Sequence, residues 1–309
     1  MAMSADFIAE IIDQSASALA EQTATIQIER FPGLRDQFGP AARERLSADT
    51  LARISYLSAA VAFDEPAIFA SQVAWTRMAM HARAVPPDHL RANLHTLRSL
   101  LLERLPVPAA ERSARTIDAA VESLSGPCEP APSSVEGDGP LQRLTRAYLL
   151  ALLEADRVGA RDLLVDAARA GTPVPDLYEH VIFPAHRELG RMWQLGEISV
   201  AEEHYASAAA EWTLPQVAAL AEQLPSNGRT LAATTADGDH HVLGLRLVTD
   251  FFEFAGWRTY FLGASTPAPD LVQAMFDQRV DLLAVSASLG VHLRTVRSLI
   301  SAIRSVPEV

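Results

Sequence analysis

Lysine is absent from all 309 residues, and the 26 basic side chains are arginines. With no primary amine on any side chain, Schiff-base chemistry, a phosphate-loop lysine and a lysine general base are excluded. Cysteine occurs once, as Cys128, so no intramolecular disulfide can form and a reducing, cytoplasmic setting is expected. Long apolar runs are missing, and the start has no apolar stretch behind a basic segment. Neither a transmembrane helix nor a secretory signal is therefore expected. Positive charge is scarce as well: 38 acidic residues leave a net charge of −12. That excess argues against a nucleic-acid or anionic-membrane partner, since both need clustered cations.

What is present falls into three regions. Residues 1–124 read as helical, with Leu94, Leu97, Leu101 and Leu105 at helical spacing and a second stripe through Leu51, Ile54, Leu57 and Val61. Pro32, Pro40, Pro66 and Pro86-Pro87 punctuate this region. Residues 125–139, SGPCEPAPSSVEGDG, form a polar linker. Residues 140–226 predict four helices, at about 140–155, 157–170, 175–194 and 200–223, the last opened by a Ser199/Glu202 capping box. Four helices on short connections form a bundle.

From residue 227 to 309 the period changes. Strands are predicted at about 229–235, 256–263 and 281–286, alternating with helices at about 242–254, 267–277 and 293–304. This alternation defines a doubly wound parallel sheet. The whole is a multidomain α plus α/β chain: an N-terminal helical domain, a four-helix cap and a Rossmann-like domain. The sheet reads as incomplete, since Pro307-Glu308-Val309 stands where a fourth strand is expected to begin.

Chemistry concentrates in the turn after the first strand, Ala236-Asp237-Gly238-Asp239-His240-His241-Val242-Leu243-Gly244. Doubly wound sheets bind ligands at the carboxyl ends of their strands. Neutral imidazole is the commonest protein metal ligand, and a carboxylate two residues away can hold the ring's other nitrogen. His241 is then a ligand, Asp239 its orienting partner, and Gly244 permits close approach of a bulky group. On spacing alone, the same residues also serve as a helix cap. One His and one Asp do not make a zinc site.

Asp239-x-His241-x-x-Gly244 resembles the motif of base-off, His-on cobalamin-binding domains. The resemblance implies that His241 is the lower cobalt ligand, held by Asp239, with the displaced nucleotide tail running past Gly244 and His240 beside the site. In Val285-Ser286-Ala287-Ser288-Leu289, Ser286 matches the serine of the family's second element, while Ser288 stands where leucine is usual. The third element, a Gly-Gly pair, is missing from the chain.

Trp193, followed after nine residues by Glu203-His204, resembles the signature of CarH-type cobalamin photoreceptors. The surrounding Phe183-Pro184-Ala185, Gly190-Arg191-Met192 and Gly196-Glu197-Ile198-Ser199 look like their helical cap. By this resemblance Trp193 covers an adenosyl group, and Glu203 and His204 act from above. Taken singly, Trp193 also suits a core and Glu203-His204 a solvated first turn. One position departs: Gln194 replaces a histidine that follows the tryptophan in that class. The resemblance covers about residues 140–306.

The layout with a helical N-terminal domain resembles photocobilins, which pair cobalamin with non-covalent biliverdin. Arg53, Tyr56, Trp75, Arg77, His81 and Arg83 are residue types that suit a bilin's propionates and pyrroles, although a packing or dimerisation domain is equally consistent. Cys128 lies in the linker, which disfavours a thioether link to a bilin without excluding it.

These features imply an adenosylcobalamin light sensor, with or without a second biliverdin chromophore, that acts as a homo-oligomer with light-dependent assembly or through a separate effector. The alternatives are a corrinoid carrier for methyl transfer and a light-independent cobalamin-sensing regulator. No paired carboxylates suggest a metal-free acid–base enzyme.

Overall fold

The computed structural model describes residues 3–126 and 128–306, apart from the side chain of Gln37. Pro127 of the linker and Pro307-Glu308-Val309, the expected start of a fourth strand, lie outside the described residues. The chain divides into two units, Met1–Pro130 and Ala131–Val309, so the break falls inside the Pro/Ser/Gly-rich stretch.

The first unit is helical: α1 (Ala5–Arg30), α2 (Gly33–Phe38), a 3-10 turn (Gly39–Ala41), α3 (Ala42–Phe63), α4 (Pro66–Ala82), α5 (Pro87–Arg104) and α6 (Val107–Ser123). Ser4 caps α1 by accepting the Phe7 N–H at 3.2 Å. Prolines occupy the first turns of α4, α5 and α6, where no donated N–H is needed. Leu94, Leu97, Leu101 and Leu105 are all buried in one core with Ile12, Leu57, Phe69 and Ile117. The expected stripe on α3 is corrected at one end: Ile54, Leu57 and Val61 are buried, but Leu51 is 39% exposed. At roughly 100° per residue, Leu51 lies about a quarter turn from the mean direction of the other three. Arg53 turns inward instead and is buried.

The second unit opens with a four-helix bundle. It comprises α7 (Pro140–Leu153), α8 (Arg157–Arg169), a third rod made of α9 (Val174–Leu177), a π turn (Tyr178–Ile182) and α10 (Phe183–Gln194), and α11 (Val200–Ala218). The uninterrupted helix expected over 175–194 is thus broken by the π turn, and the cause is local. Pro184 has no N–H to give the His180 carbonyl, which accepts the Thr145 hydroxyl at 2.9 Å instead. The Phe183 N–H reaches back to the Tyr178 carbonyl, closing the wider turn.

The helix expected to run to 223 ends at Ala218. Beyond it, the Leu224 and Asn227 N–H groups donate to the carbonyls of Phe254 and Gly256, each at 2.9 Å. Gly256 has φ 80°, and a Cβ there would sit 2.2 Å from the Pro225 carbonyl oxygen. This docking ends the helix in favour of a tight seam with the next domain.

That domain alternates β1 (Thr230–Thr235), α12 (Leu243–Phe254), β2 (Arg258–Gly263), α13 (Ala268–Asp277), β3 (Leu282–Ser286) and α14 (Leu293–Arg304). The three strands are parallel in the order β2-β1-β3. Central β1, with its small Ala232 and Ala233, is buried along its whole length. The architecture is therefore a helical N-terminal region, a helical cap and a Rossmann-like domain. The second half of the stretch read as a linker is not a loose tether. The Ser134 N–H donates to Glu188 at 2.9 Å and its hydroxyl to the Pro184 carbonyl at 2.8 Å.

α12 joins bundle and sheet. Its Leu247 and Phe254 share a core with Tyr178, Val181 and Leu214 of the bundle. Within this core the Tyr178 hydroxyl donates to Asp250 at 2.8 Å, and Arg246 Nε lies 3.4 Å from the same carboxylate. Burial holds Asp250 above the usual carboxylate range, against the pull of Tyr178 and Arg246. Tyr178→Phe is expected to cost about 1–3 kcal/mol, because it strips a buried carboxylate of its hydroxyl donor. A lowered urea midpoint for the second unit would show it, and an unchanged midpoint would contradict it.

Candidate functional site

The site forms where β1 ends and residues 236–242 lead into α12. The Ala236 N–H donates to the Ser286 carbonyl at 2.8 Å, tying the loop to the end of β3. Gly238 turns the chain with φ 82°, and its N–H donates to the Ser265 hydroxyl at 3.1 Å. The Thr235 hydroxyl donates to the Asp239 carbonyl. These contacts drive Asp239 inward, where it is fully buried.

Four groups converge on the Asp239 carboxylate. Oδ1 accepts the His241 backbone N–H at 3.0 Å and faces His241 Nδ1 at 2.7 Å. Oδ2 accepts the Ser288 backbone N–H at 2.6 Å, and His292 Nδ1 lies 3.3 Å away. Burial alone would raise the carboxyl's pKa. The two backbone N–H groups, the His241 ring and His292 outweigh it and bring the value down to about 2.

An ionised carboxylate only accepts, so the proton of neutral His241 sits on Nδ1. Nε2 keeps its lone pair, on a side chain that is 65% exposed. This is the tautomer and posture a metal ligand requires. Among the described residues no three His, Cys, Asp or Glu side chains gather as a metal site. A metal held at His241 must therefore bring its remaining ligands with it.

The other expected residues take distinct places. His240 is exposed. Ser286 contributes its carbonyl and Ser288 its N–H, so both act through backbone. A Cβ at Gly244 would meet open space, which leaves room for a bulky group beside the start of α12. On the cap, Trp193 near the end of α10 is partly buried against the bundle core. Glu203 Oε2 faces His204 Nδ1 at 2.7 Å, and its Oε1 accepts the Ser207 hydroxyl at 2.9 Å. The His204 side chain is 74% exposed, so a second carboxylate-held imidazole opens outward from α11.

In the first unit, Arg53, Trp75 and Arg83 line a cavity of about 410 Å³. The other three candidates do not line it. Tyr56 packs against the helical core, Arg77 donates to the Gly126 carbonyl at 2.6 Å, and His81 is exposed in the last turn of α4. Their sequence proximity to Arg53 or Trp75 places them on other helix faces.

Two histidines escaped the sequence analysis. His292 reaches Asp239 from the turn before α14, a contact with no local sequence signal. His186 lies two turns before Trp193 on α10, a spacing that could have drawn attention to it. Its Nε2 is buried without a partner, as is the nearby Tyr148 hydroxyl, the two rings lying 6.3 Å apart. Burial lowers the His186 pKa to about 4, against the opposing charge of Glu203.

Residues 229–309 match the family model of a B12 binding domain, and residues 144–221 match a second model of the same description. Over 134 residues the chain is 34% identical to the HTH-type transcriptional repressor CarA of Myxococcus xanthus, a stretch covering 43% of each protein. Over 144 residues it is 22% identical to dimethylamine corrinoid protein 3 of Methanosarcina acetivorans, covering 45% of this chain and 66% of that one. The chain thus spans under half of the repressor's length and just under two thirds of the corrinoid protein's. Among solved structures it is similar to the monomethylamine corrinoid protein of Methanosarcina barkeri, at 18% identity and a TM-score of 0.49, over 54% of this chain and 80% of that one. Fold and site together define a helical cap on a cofactor-binding α/β domain. The sequence matches support a cobalamin-binding family for residues 144–309. No helix among the described residues is long and apolar enough to cross a membrane.

Two outcomes follow from this geometry. Asp239→Asn is expected to weaken cobalamin binding about 10–100-fold in absorbance titrations, since it releases the ring from its fixed tautomer. His186 makes stability pH-dependent. Its contribution is fully present above about pH 6.5, where the ring is neutral in both states, and is lost as pH falls toward about 4 because the unfolded chain binds the proton first. The loss is on the order of 3 kcal/mol, and urea midpoints of His186→Leu should fall less over that range than those of the parent chain.

Proposed function

We propose that this chain is a light-responsive regulator that binds adenosylcobalamin between its helical cap and its α/β domain. The observation that carries the reading is the buried, ionised Asp239 holding His241 with Nε2 presented outward. His241 would ligate the cobalt through Nε2, and the open space at Gly244 would leave room for the cofactor's bulk. When bound, an alkylcobalamin supplies a cobalt–carbon bond that visible light breaks. On the cap, Trp193 would cover the bound cofactor and exclude a substrate, and Glu203 and His204 would be the groups available to hydrogen-bond or ligate it. Gln194 leaves His204 as the imidazole available on that face.

Output follows from the packing. α11, which carries Glu203 and His204, packs against α12, whose first turn follows His241. A change on the upper face alters the cap's seat on α12, and so the assembly of copies of the chain or its hold on a separate effector. The net charge of −12 disfavours direct DNA contact. In the first unit, the cavity lined by Arg53, Trp75 and Arg83 is the place for a non-covalent biliverdin.

The similarity to a dimethylamine corrinoid protein favours a second reading, a corrinoid carrier for methyl transfer. A light-independent cobalamin sensor shares the same site. One experiment separates them: reconstitution in the dark with adenosylcobalamin and biliverdin, then spectra and elution volume before and after green light. Bleaching of the corrin bands together with a size change is the expected result, and a red band would report the bilin. A bound corrin with no size change would favour the carrier or the vitamin sensor. His241→Ala is expected to lose most cobalamin on gel filtration, and full retention would remove His241 as ligand.

A further inference from the structure

The cavity of the first unit has a floor unlike its walls. Leu34, Leu46, Met80 and Trp75 make the walls apolar. At the floor lies Arg53, a buried guanidinium whose NH1 donates to Asn93 Oδ1 and whose Nε is buried with no partner. Asn93 is spent on others: its amide donates to Gln27 at 2.9 Å and Thr50 at 3.0 Å. Gln27 in turn donates to the His89 carbonyl at 3.0 Å. This chain of neutral dipoles orients Arg53 but does not neutralise it.

Two more orphaned atoms belong to side chains lining the same cavity, Gln72 Oε1 and His89 Nδ1. Three unsatisfied buried atoms around one space are costly unless something in that space meets them. Burial lowers the Arg53 pKa only to about 10, against Asp49, so the cation persists at neutral pH. Asp49 and Arg83, both exposed, also line the cavity, so two cations and one carboxylate border it. The volume of about 410 Å³ lies within the range of small-molecule sites.

We propose that this cavity binds an amphipathic organic acid, its carboxylate seated on Arg53 and an N–H or O–H donor of the same molecule reaching Gln72. Biliverdin is one molecule of this class. The inference rests on the reading above only in placing a ligand here, and does not require that ligand to be a tetrapyrrole.

The test uses the full chain and two fluorescent dyes of one shape, anionic anilinonaphthalene sulfonate and uncharged phenylnaphthylamine. The anion is expected to bind about tenfold or more tightly than the neutral dye, as a charge-assisted hydrogen bond requires. Arg53→Gln is expected to remove that preference, and Ala79→Phe, which fills the cavity from its wall, to remove binding of both dyes. If Arg53→Gln fails to fold, by circular dichroism, Asn93→Asp places a carboxylate on Arg53 at nearly constant shape and must abolish the preference instead. Equal binding of the two dyes by the parent chain, or an anion preference that survives Asn93→Asp, overturns the proposal. Biliverdin titrated into the same protein separates the two ideas. Dye preference without biliverdin binding supports the acid site while removing the bilin chromophore.

Discussion

The buried Asp239 carboxylate is the constraint on which the cofactor site depends. A carboxylate taken out of water must be met by donors on both oxygens, and here they come from two loops: the His241 N–H and ring on Oδ1 and the Ser288 N–H after β3 on Oδ2, with the His292 ring 3.3 Å from Oδ2. Meeting that demand pins the loop after β1 to the loop after β3 and also fixes the His241 tautomer. Orientation of the His241 ring and closure of this edge of the sheet are thus one event. The ring that results is locked on one side and open on the other, as a cofactor carrying most of its own ligands requires.

From that loop, α12 acts as a strut. It starts beside His241, carries Asp250, paired with Arg246, into the bundle core, and meets Tyr178 in the π turn that leads on to α10 and Trp193. The lower and upper sides of the candidate cobalamin site are therefore joined through packed helices and a buried hydrogen bond rather than through a flexible hinge. The π turn is itself a consequence of Pro184, whose missing donor is offset by Thr145 from a neighbouring helix.

Buried polar groups are met to different degrees along the chain. In the second unit the buried Asp239 and Glu188 have their partners, with Glu188 held by Arg191 and the Ser134 N–H, while His186 Nε2 and the Tyr148 hydroxyl have none. In the first, Arg53 and two neighbours are left short around a cavity. A folded chain retains such groups at a cost, which points to a ligand as the missing partner.

What the sequence determined by itself is whatever local chemistry decides. Proline and glycine positions, the Ser199–Glu202 cap and the change from helical to alternating periodicity mark the elements and the cap-plus-α/β order. The Asp239-x-His241-x-x-Gly244 spacing likewise locates the candidate site, because the imidazole, its orienting carboxylate and the helix start lie within six consecutive residues. Where neighbours in space rather than in sequence decide, only the tertiary structure answers. It ended α11 at Ala218 by docking the following segment on α12, turned Arg53 inward and Leu51 outward, and sent Tyr56, Arg77 and His81 away from the cavity that Arg53 lines. It also brought His292 to within 3.3 Å of Asp239 and sealed His186 inside the cap. Burial and long-range hydrogen bonding depend on what the rest of the chain delivers to a point in space, and no window of sequence contains that.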